Sequence, residues 1–161
     1  MMPDIKMLIM DVDGTLTDGK INISENGELF KSFNVKDGMG IKIMHEEYGL
    51  IPVIITSRKS KITEYRAKEL GIIELHQNVI NKKEKMIEIA KKYKIDLKQI
   101  AYIGDDVNDI EAMSYVGMSF SPNDAVSYVK EASQYQLQKD GGNGAVRECI
   151  DILISIKTLT R

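Results

Sequence analysis

The chain has a single cysteine, Cys149, among 161 residues, which excludes an internal disulfide and any multi-cysteine zinc site. A lone thiol suits a reducing compartment. It also lacks an excess of positive charge: 22 Lys and Arg against 24 Asp and Glu leave a net charge of −2. Nothing in that balance draws the protein toward nucleic acid or an anionic membrane, so an anionic ligand would need local cations or a metal ion. No apolar run approaches the roughly 20 residues that span a bilayer. The first such run, Met7 to Met10, is too short for a signal-peptide core and leads into charged residues. Internal repeats, low-complexity tracts and linker-like stretches are missing as well. Together these absences predict one soluble cytoplasmic domain over residues 1–161, with no nucleic-acid or membrane partner.

Hydrophobic residues make up 43% and charged residues 29%, the usage of an ordinary globular domain able to bury a core. Short unbroken apolar runs are the mark of strands buried in a parallel sheet. Four stand out: Met7 to Met10, Ile51 to Ile55, Ile72-Ile73, and Ile100 to Ile103. Between them lie helical spacings: Ile41, Met44 and Tyr48; then Ile62, Tyr65 and Leu70; then Met86, Ile89, Ala90 and Tyr93. Gly49, Gly71 and Gly104 fall where helices or strands should stop. This alternation predicts a doubly wound parallel α/β sheet, closed by a helix from about Ala145 to Ile156. Lys20 to Ser24 and Leu29 to Val35 alternate polar and apolar residues around the turn signal Glu25-Asn26-Gly27, so a β-hairpin is expected after the first strand. It would lie above the carboxyl ends of the strands, where such sheets bind ligands.

Four local patterns carry chemistry. Asp11-Val12-Asp13-Gly14-Thr15 follows the first strand, and residues two apart in extended chain point the same way. Paired carboxylates repel unless a cation or proton sits between them, and hard oxygen ligands suit Mg2+. A calcium loop fails, because the glycine falls too early and Asn22 stands where the bidentate Glu belongs. A second acidic cluster, Gly104-Asp105-Asp106-Val107-Asn108-Asp109, also follows a strand. Helix capping by Asp106 or Asn108 explains one of its residues, not the cluster. Third, Thr56-Ser57-Arg58-Lys59 combines hydroxyls and cations at a strand-to-helix junction, a phosphate site in form, although taken alone it reads more readily as a plain N-cap. Fourth, Asn81-Lys82-Lys83 opens a helix where cations oppose the dipole, and surface lysine is the bland reading.

In their order these patterns resemble the four motifs of the haloacid dehalogenase superfamily of phosphohydrolases, over Asp11 to Asp109. The resemblance implies Asp11 as nucleophile and Asp13 as general acid, with Thr56 and Lys82 holding the phosphoryl group and Lys83 as fallback if the register slips. It implies a Mg2+ site of Asp11, the Asp13 carbonyl and Asp105, with Asp106 and Asp109 supporting the metal waters or Lys82. Covalent phosphoryl transfer needs this mixture of nucleophile, acid and cations.

No room exists for a separate cap domain. The wider pattern is similar to the 3-deoxy-D-manno-octulosonate 8-phosphate phosphatase family, through Asp11 to Gly19, Phe33 to Gly38, Ile55 to Ser60 and Gly141 to Glu148. That resemblance implies a sugar-phosphate substrate and a homotetramer whose hairpins pack together. Thr15, Ser57 and Asn143 depart from common family residues, and a long C-terminal tail is expected to be missing. Relatives acting on nine-carbon sugar acid 9-phosphates, or fused to cytidylyltransferases, share much of the pattern. Asp13, Thr56, Ser57, Arg58, Lys59 and Lys82 are the substrate-binding candidates, Arg58 and Lys59 for a carboxylate; Lys36, Asp37 and Arg147 are weaker ones. His45 and His76 stand alone, without metal-ligand spacing, and the nine methionines read as core filling. A phosphoacceptor domain is the rival reading, but the late acidic cluster has no role in one. An idle regulatory domain would have no reason to keep mutually repulsive carboxylates.

Overall fold

The computed structural model describes residues 2–160. In chain order it contains β1 (Met7–Met10), β2 (Asn22–Ser24), β3 (Gly27–Phe30), α1 (Val35–Glu46), β4 (Ile51–Ile55), α2 (Lys61–Glu69) and β5 (Glu74–His76). These are followed by α3 (Lys82–Tyr93), β6 (Ile100–Ile103), α4 (Val107–Met113), β7 (Met118–Ser121), α5 (Ser127–Ala132), β8 (Tyr135–Gln136) and α6 (Ala145–Leu159). Six strands form one sheet in the order β5-β4-β1-β6-β7-β8, and every pairing in it is parallel. β2 and β3 make the separate antiparallel hairpin.

β1 shows why this sheet is wound on both faces. Its residues are all buried, and successive side chains point to opposite sides. Leu8 and Met10 join an apolar cluster with Ile41 and Met44 of α1, Ala67 of α2 and Ile150 of α6. Met7 and Ile9 join a second cluster with Met86 and Ile89 of α3, Ala112 of α4 and Val129 of α5. Helices thus cover both faces, and the central strands β1, β4 and β6 end together at one edge. Among the described residues no helix is long and apolar enough to cross a membrane.

Several expectations shift. The strand expected at Ile72-Ile73 begins later, at Glu74, because Gly71 (φ +72) ends α2 and Ile72 turns back to donate to the Ala67 carbonyl; Ile73 is 88% exposed. α2 buries Thr63 and Ala67, with Leu70 at its end, but not Tyr65, which is 75% exposed, so smaller side chains than expected face the sheet. The hairpin's second strand stops at Phe30, because Asn34 caps α1 by accepting from the Lys36 and Asp37 N–H groups and draws Val35 into the helix. α6 runs on to Leu159. β7 shows no apolar run because Ser119 and Ser121 alternate with Met118 and Phe120, yet all four are buried. Gln134 and Ser133 supply the polar partners that make this possible. Six of the nine methionines are buried, whereas Met2 and Met39 are exposed.

Phe120 tests the packing. It is fully buried and stacks on Tyr135 with ring centroids 4.9 Å apart. Phe120→Ala is expected to lose about 3–5 kcal/mol, read in urea denaturation as a lower midpoint at unchanged slope. A loss under about 1 kcal/mol would show that β7 and β8 are not integral to the core.

Candidate active site

The three central strands deliver the chemical groups. Beyond β1, the Asp11 N–H still donates to the Ile103 carbonyl (3.2 Å), and beyond β4 the Thr56 N–H donates to His76 (2.9 Å). The chain then leaves the sheet. After Asp11 it turns at Gly14, whose φ of +91 favours glycine. A Cβ there would lie 1.9 Å from Asp105 Oδ2, so the missing side chain is what lets Asp105 approach. Thr17 Oγ1 accepts from the N–H groups of Gly14 (3.3 Å) and Gly19 (3.2 Å), and Thr15 Oγ1 donates to Asp105 Oδ1 (3.2 Å). The glycine-rich segment before α6 braces this turn: Gly142 N–H donates to the Thr15 carbonyl (3.0 Å), and a Cβ on Gly141 would lie 1.9 Å from the Gly14 oxygen.

At the strand ends Asp11, Asp105 and Asp109 bring carboxylate oxygens within 4.8 Å of one another. Lys82, the first residue of α3, buries its ammonium among them, donating to Asp11 Oδ1 (3.0 Å) and Asp109 Oδ1 (2.8 Å). Asp109 is fully occupied. Its Oδ1 also accepts from Tyr102 Oη (2.8 Å), and its Oδ2 accepts from the N–H groups of Asp105 (3.1 Å) and Asp106 (3.3 Å). The oxygens best placed to bind a cation directly are therefore those of Asp11 and Asp105.

Three carboxylates facing one ammonium leave two negative charges in excess. Without a cation, protons must make up the difference. Burial, then the charge of Asp109, raise Asp11 to about 6, against the pull of Lys82. Burial, then a hydrogen bond and charge from Asp11, raise Asp105 to about 9. Burial works against the Lys82 charge, but Asp11 and Asp109 outweigh it and hold the ammonium above the ordinary lysine range. All-oxygen donors with two charges to neutralise fit a hard divalent cation such as Mg2+.

The remaining candidates divide clearly. Thr56 is buried at the tip of β4, beside the tip of β1. Ser57 is exposed and accepts from Asn108 Nδ2 (3.1 Å), joining two of the motifs. Arg58 Nε lies 4.0 Å from Asp13 Oδ2, and Lys59 is exposed. Lys83 points away and pairs with Glu111 (2.6 Å). Asp106 stays outside the carboxylate cluster and caps α4, accepting from Val107 N–H (2.7 Å). Asp37 and Arg147 join α1 to α6: Arg147 N–H donates to Asp37 Oδ1 (2.9 Å), and its guanidinium to the Lys36 carbonyl (3.3 Å). His45 meets the Leu50 carbonyl and His76 meets Glu74, both as structural contacts.

One cation was not visible in any motif. Lys31, just past β3, has a 3% exposed side chain and reaches Asp13 Oδ1 (2.5 Å) and Glu28 Oε1 (3.0 Å). Glu28 Oε2 in turn accepts from Ser60 Oγ (2.6 Å), the residue that caps α2. Burial disfavours the Lys31 charge, but hydrogen bonds and charge from Asp13 and Glu28 prevail and raise it. Only the hairpin's alternation was readable, and it says nothing of where Lys31 reaches.

A carboxyl raised above its ordinary 3.8 holds its proton more tightly in the folded chain than in the unfolded one. Its stabilising contribution is complete below that value and declines as pH rises to the folded values of about 6 and about 9. Mg2+ competes with those protons. The rise in melting temperature on adding Mg2+ is therefore expected to grow steadily from pH 6 to pH 9; a flat or shrinking rise would count against the cluster as a cation site. Gly141→Ala pushes a methyl group into the Gly14 carbonyl. It is expected to cut turnover by about 100-fold through misplacement of the Asp11 turn, measured as kcat on protein whose melting transition is retained. Unchanged kcat would mean that the glycine segment does not position that turn.

Comparison with known proteins agrees with this geometry. Residues 46–149, more than half of the chain, match the haloacid dehalogenase-like hydrolase family. The chain is 40% identical over 151 residues to a 3-deoxy-D-manno-octulosonate 8-phosphate phosphatase of Salmonella typhi, covering 94% of this chain and 80% of that protein. The cobalt-bound phosphatase of the same description from Haemophilus influenzae superposes with a TM-score of 0.93 at 37% identity, covering 96% of this chain and 90% of the other. The Moraxella catarrhalis phosphatase, solved with magnesium, phosphate and a KDO molecule, gives 0.91 at 38% identity, covering 95% and 87%. With its strand order, its glycine turn and its buried lysine among carboxylates, the chain belongs to the haloacid dehalogenase-like hydrolases and, within them, to the 3-deoxy-D-manno-octulosonate 8-phosphate phosphatase family.

Proposed function

We propose that the protein hydrolyses 3-deoxy-D-manno-octulosonate 8-phosphate to the free sugar acid and phosphate, in a Mg2+-dependent reaction through an aspartyl-phosphate. The observation that carries this reading is the buried Lys82 ammonium shared by Asp11 and Asp109, in a cluster still short of two positive charges. That deficit is what a phosphate monoester and a divalent cation, bound together, would meet.

Asp11 is the nucleophile. Lys82 holds its Oδ1, which keeps the carboxylate from rotating while one of its oxygens attacks phosphorus. As that Asp11 oxygen–phosphorus bond forms, the bond from phosphorus to the sugar oxygen breaks, and Asp13 passes its proton to the departing alkoxide. Asp13, now a carboxylate, takes a proton from water, whose oxygen attacks the aspartyl-phosphate and frees Asp11. Thr56 and Lys82 hold the phosphoryl oxygens through both steps. Asp11, the Asp13 carbonyl and Asp105 would hold the metal, whose two positive charges would offset the negative charge of the transferring phosphoryl group. Asp109 acts through Lys82. Ser57, Arg58 and Lys59 line the entry for the sugar acid and its carboxylate.

The hairpin leaves Ile21, Ile23, Leu29 and Phe30 exposed, a concentration of apolar side chains of the kind that marks interaction surfaces. Packing of these faces against other copies, as in a homotetramer, supports the reading of an assembly that covers an otherwise open site. The chain is read as a single domain working in the cytoplasm, where Cys149, buried in α6, stays reduced.

Phosphate release from purified protein, with and without Mg2+, is the test, on a panel of eight-carbon and nine-carbon ulosonate phosphates and hexose phosphates. Turnover is expected to require Mg2+, to favour the eight-carbon acid, and to fall on the order of 10³-fold or more in Asp11→Asn. Preference for a nine-carbon acid would keep the chemistry and change the substrate. Mg2+-independent turnover, or full activity in Asp11→Asn, would refute the mechanism.

A further inference from the structure

The hairpin supplies more than cover. Lys31 sits at the base of β3, and its side chain is almost wholly withdrawn from solvent although the strand around it is exposed. Its ammonium is committed to two carboxylates: Asp13 Oδ1 at 2.5 Å and Glu28 Oε1 at 3.0 Å. Glu28 is fixed from its other side by the Ser60 hydroxyl at 2.6 Å, and Ser60 is anchored as the cap of α2 by the Ile62 and Thr63 N–H groups. A continuous chain of contacts therefore runs from α2 through Ser60, Glu28 and Lys31 to Asp13. The second Asp13 oxygen, Oδ2, faces Arg58 Nε at 4.0 Å, beyond hydrogen-bond range.

This asymmetry has a chemical consequence. A carboxyl that delivers a proton to a leaving group must present one oxygen to it in a fixed direction. Charge-assisted hydrogen bonds are the strong, orienting ones, and here one oxygen of Asp13 is held by such a bond. We propose that Lys31 is a positioning residue for the reaction: by engaging Asp13 Oδ1 from the hairpin, it aims Oδ2 at the leaving-group oxygen. The inference rests on the phosphatase reading above and concerns only the step in which the sugar oxygen is protonated as its bond to phosphorus breaks.

That restriction makes it testable, because some leaving groups need no proton. Lys31→Met keeps the length of the stem and removes the charge, and Lys31→Arg keeps a cation facing Asp13. Each variant, checked first for a native melting transition, is assayed with Mg2+ on a sugar phosphate and on para-nitrophenyl phosphate, whose phenolate departs unprotonated. For Lys31→Met, the first-turnover rate on the sugar phosphate is expected to fall by about 10- to 100-fold, within the range that general acid catalysis supplies. On para-nitrophenyl phosphate the first-turnover release of phenolate, which precedes the water-activating step that also uses Asp13, should fall less than about threefold, and Lys31→Arg should keep more of the sugar phosphate rate than Lys31→Met. Equal losses in the first-turnover rates on both compounds would overturn the proposal in favour of a structural role. A rise in KM for the sugar phosphate with kcat unchanged would overturn it in favour of a substrate contact, and equal rates in the two variants would show that the cation is not the operative group. Failure of the unsubstituted protein to turn over either compound would instead overturn the phosphatase reading, and this inference with it.

Discussion

One buried ammonium organises the site. Burying Lys82 away from water costs several kcal/mol unless partners surround it, and the same holds for the carboxylates it meets. The surrounding structure consists largely of the means to offset those costs. Asn81 caps α3 by accepting from Glu84 N–H, so the helix begins where its first side chain can enter the cluster. Tyr102 comes up from the middle of β6 to donate to Asp109, and two N–H groups of the turn before α4 complete that carboxylate. Gly104 permits the turn, since a Cβ there would lie 2.5 Å from Asp109 Oδ2. A lysine at a helix N-terminus opposes the dipole; here two carboxylates more than compensate.

Much of this was legible in the residues, for a definable reason. β1, β4 and β6 are buried on both faces, so they read as unbroken apolar runs, and the acidic motifs follow directly after two of them. What escaped depends on contacts between elements distant in the chain. β7 hides its strand character because its serines are satisfied by residues 133 and 134. Nothing in Asn81-Lys82-Lys83 says which lysine turns inward; the start of α3 decides it, sending Lys82 to Asp11 and Lys83 to Glu111. The resemblance implies Asp106 and Asp109 together as support for the metal waters or Lys82; Asp109 meets Lys82, and Asp106 caps α4.

The hairpin illustrates the same limit. Its alternation of polar and apolar residues predicts a ribbon with one face to hide. It does not reveal that the ribbon is pinned at its base by Glu28 and Lys31, so that the exposed apolar residues belong to a projecting arm with a fixed root. An arm of that kind can meet other copies without loosening the groups beneath it.

The brace between Gly142 and Thr15 joins the beginning of the chain to a segment close to its end. During synthesis the strands β1, β4 and β6 can emerge and pair while residues near 141 are still inside the ribosome, but the turn bearing Asp11 has nothing to lean on until they arrive. The turn bearing Asp11 therefore cannot be fully braced until that distant segment is in place. A nascent or truncated chain without residues 141 and 142 could hold much of its sheet and still lack this brace on the Asp11 turn.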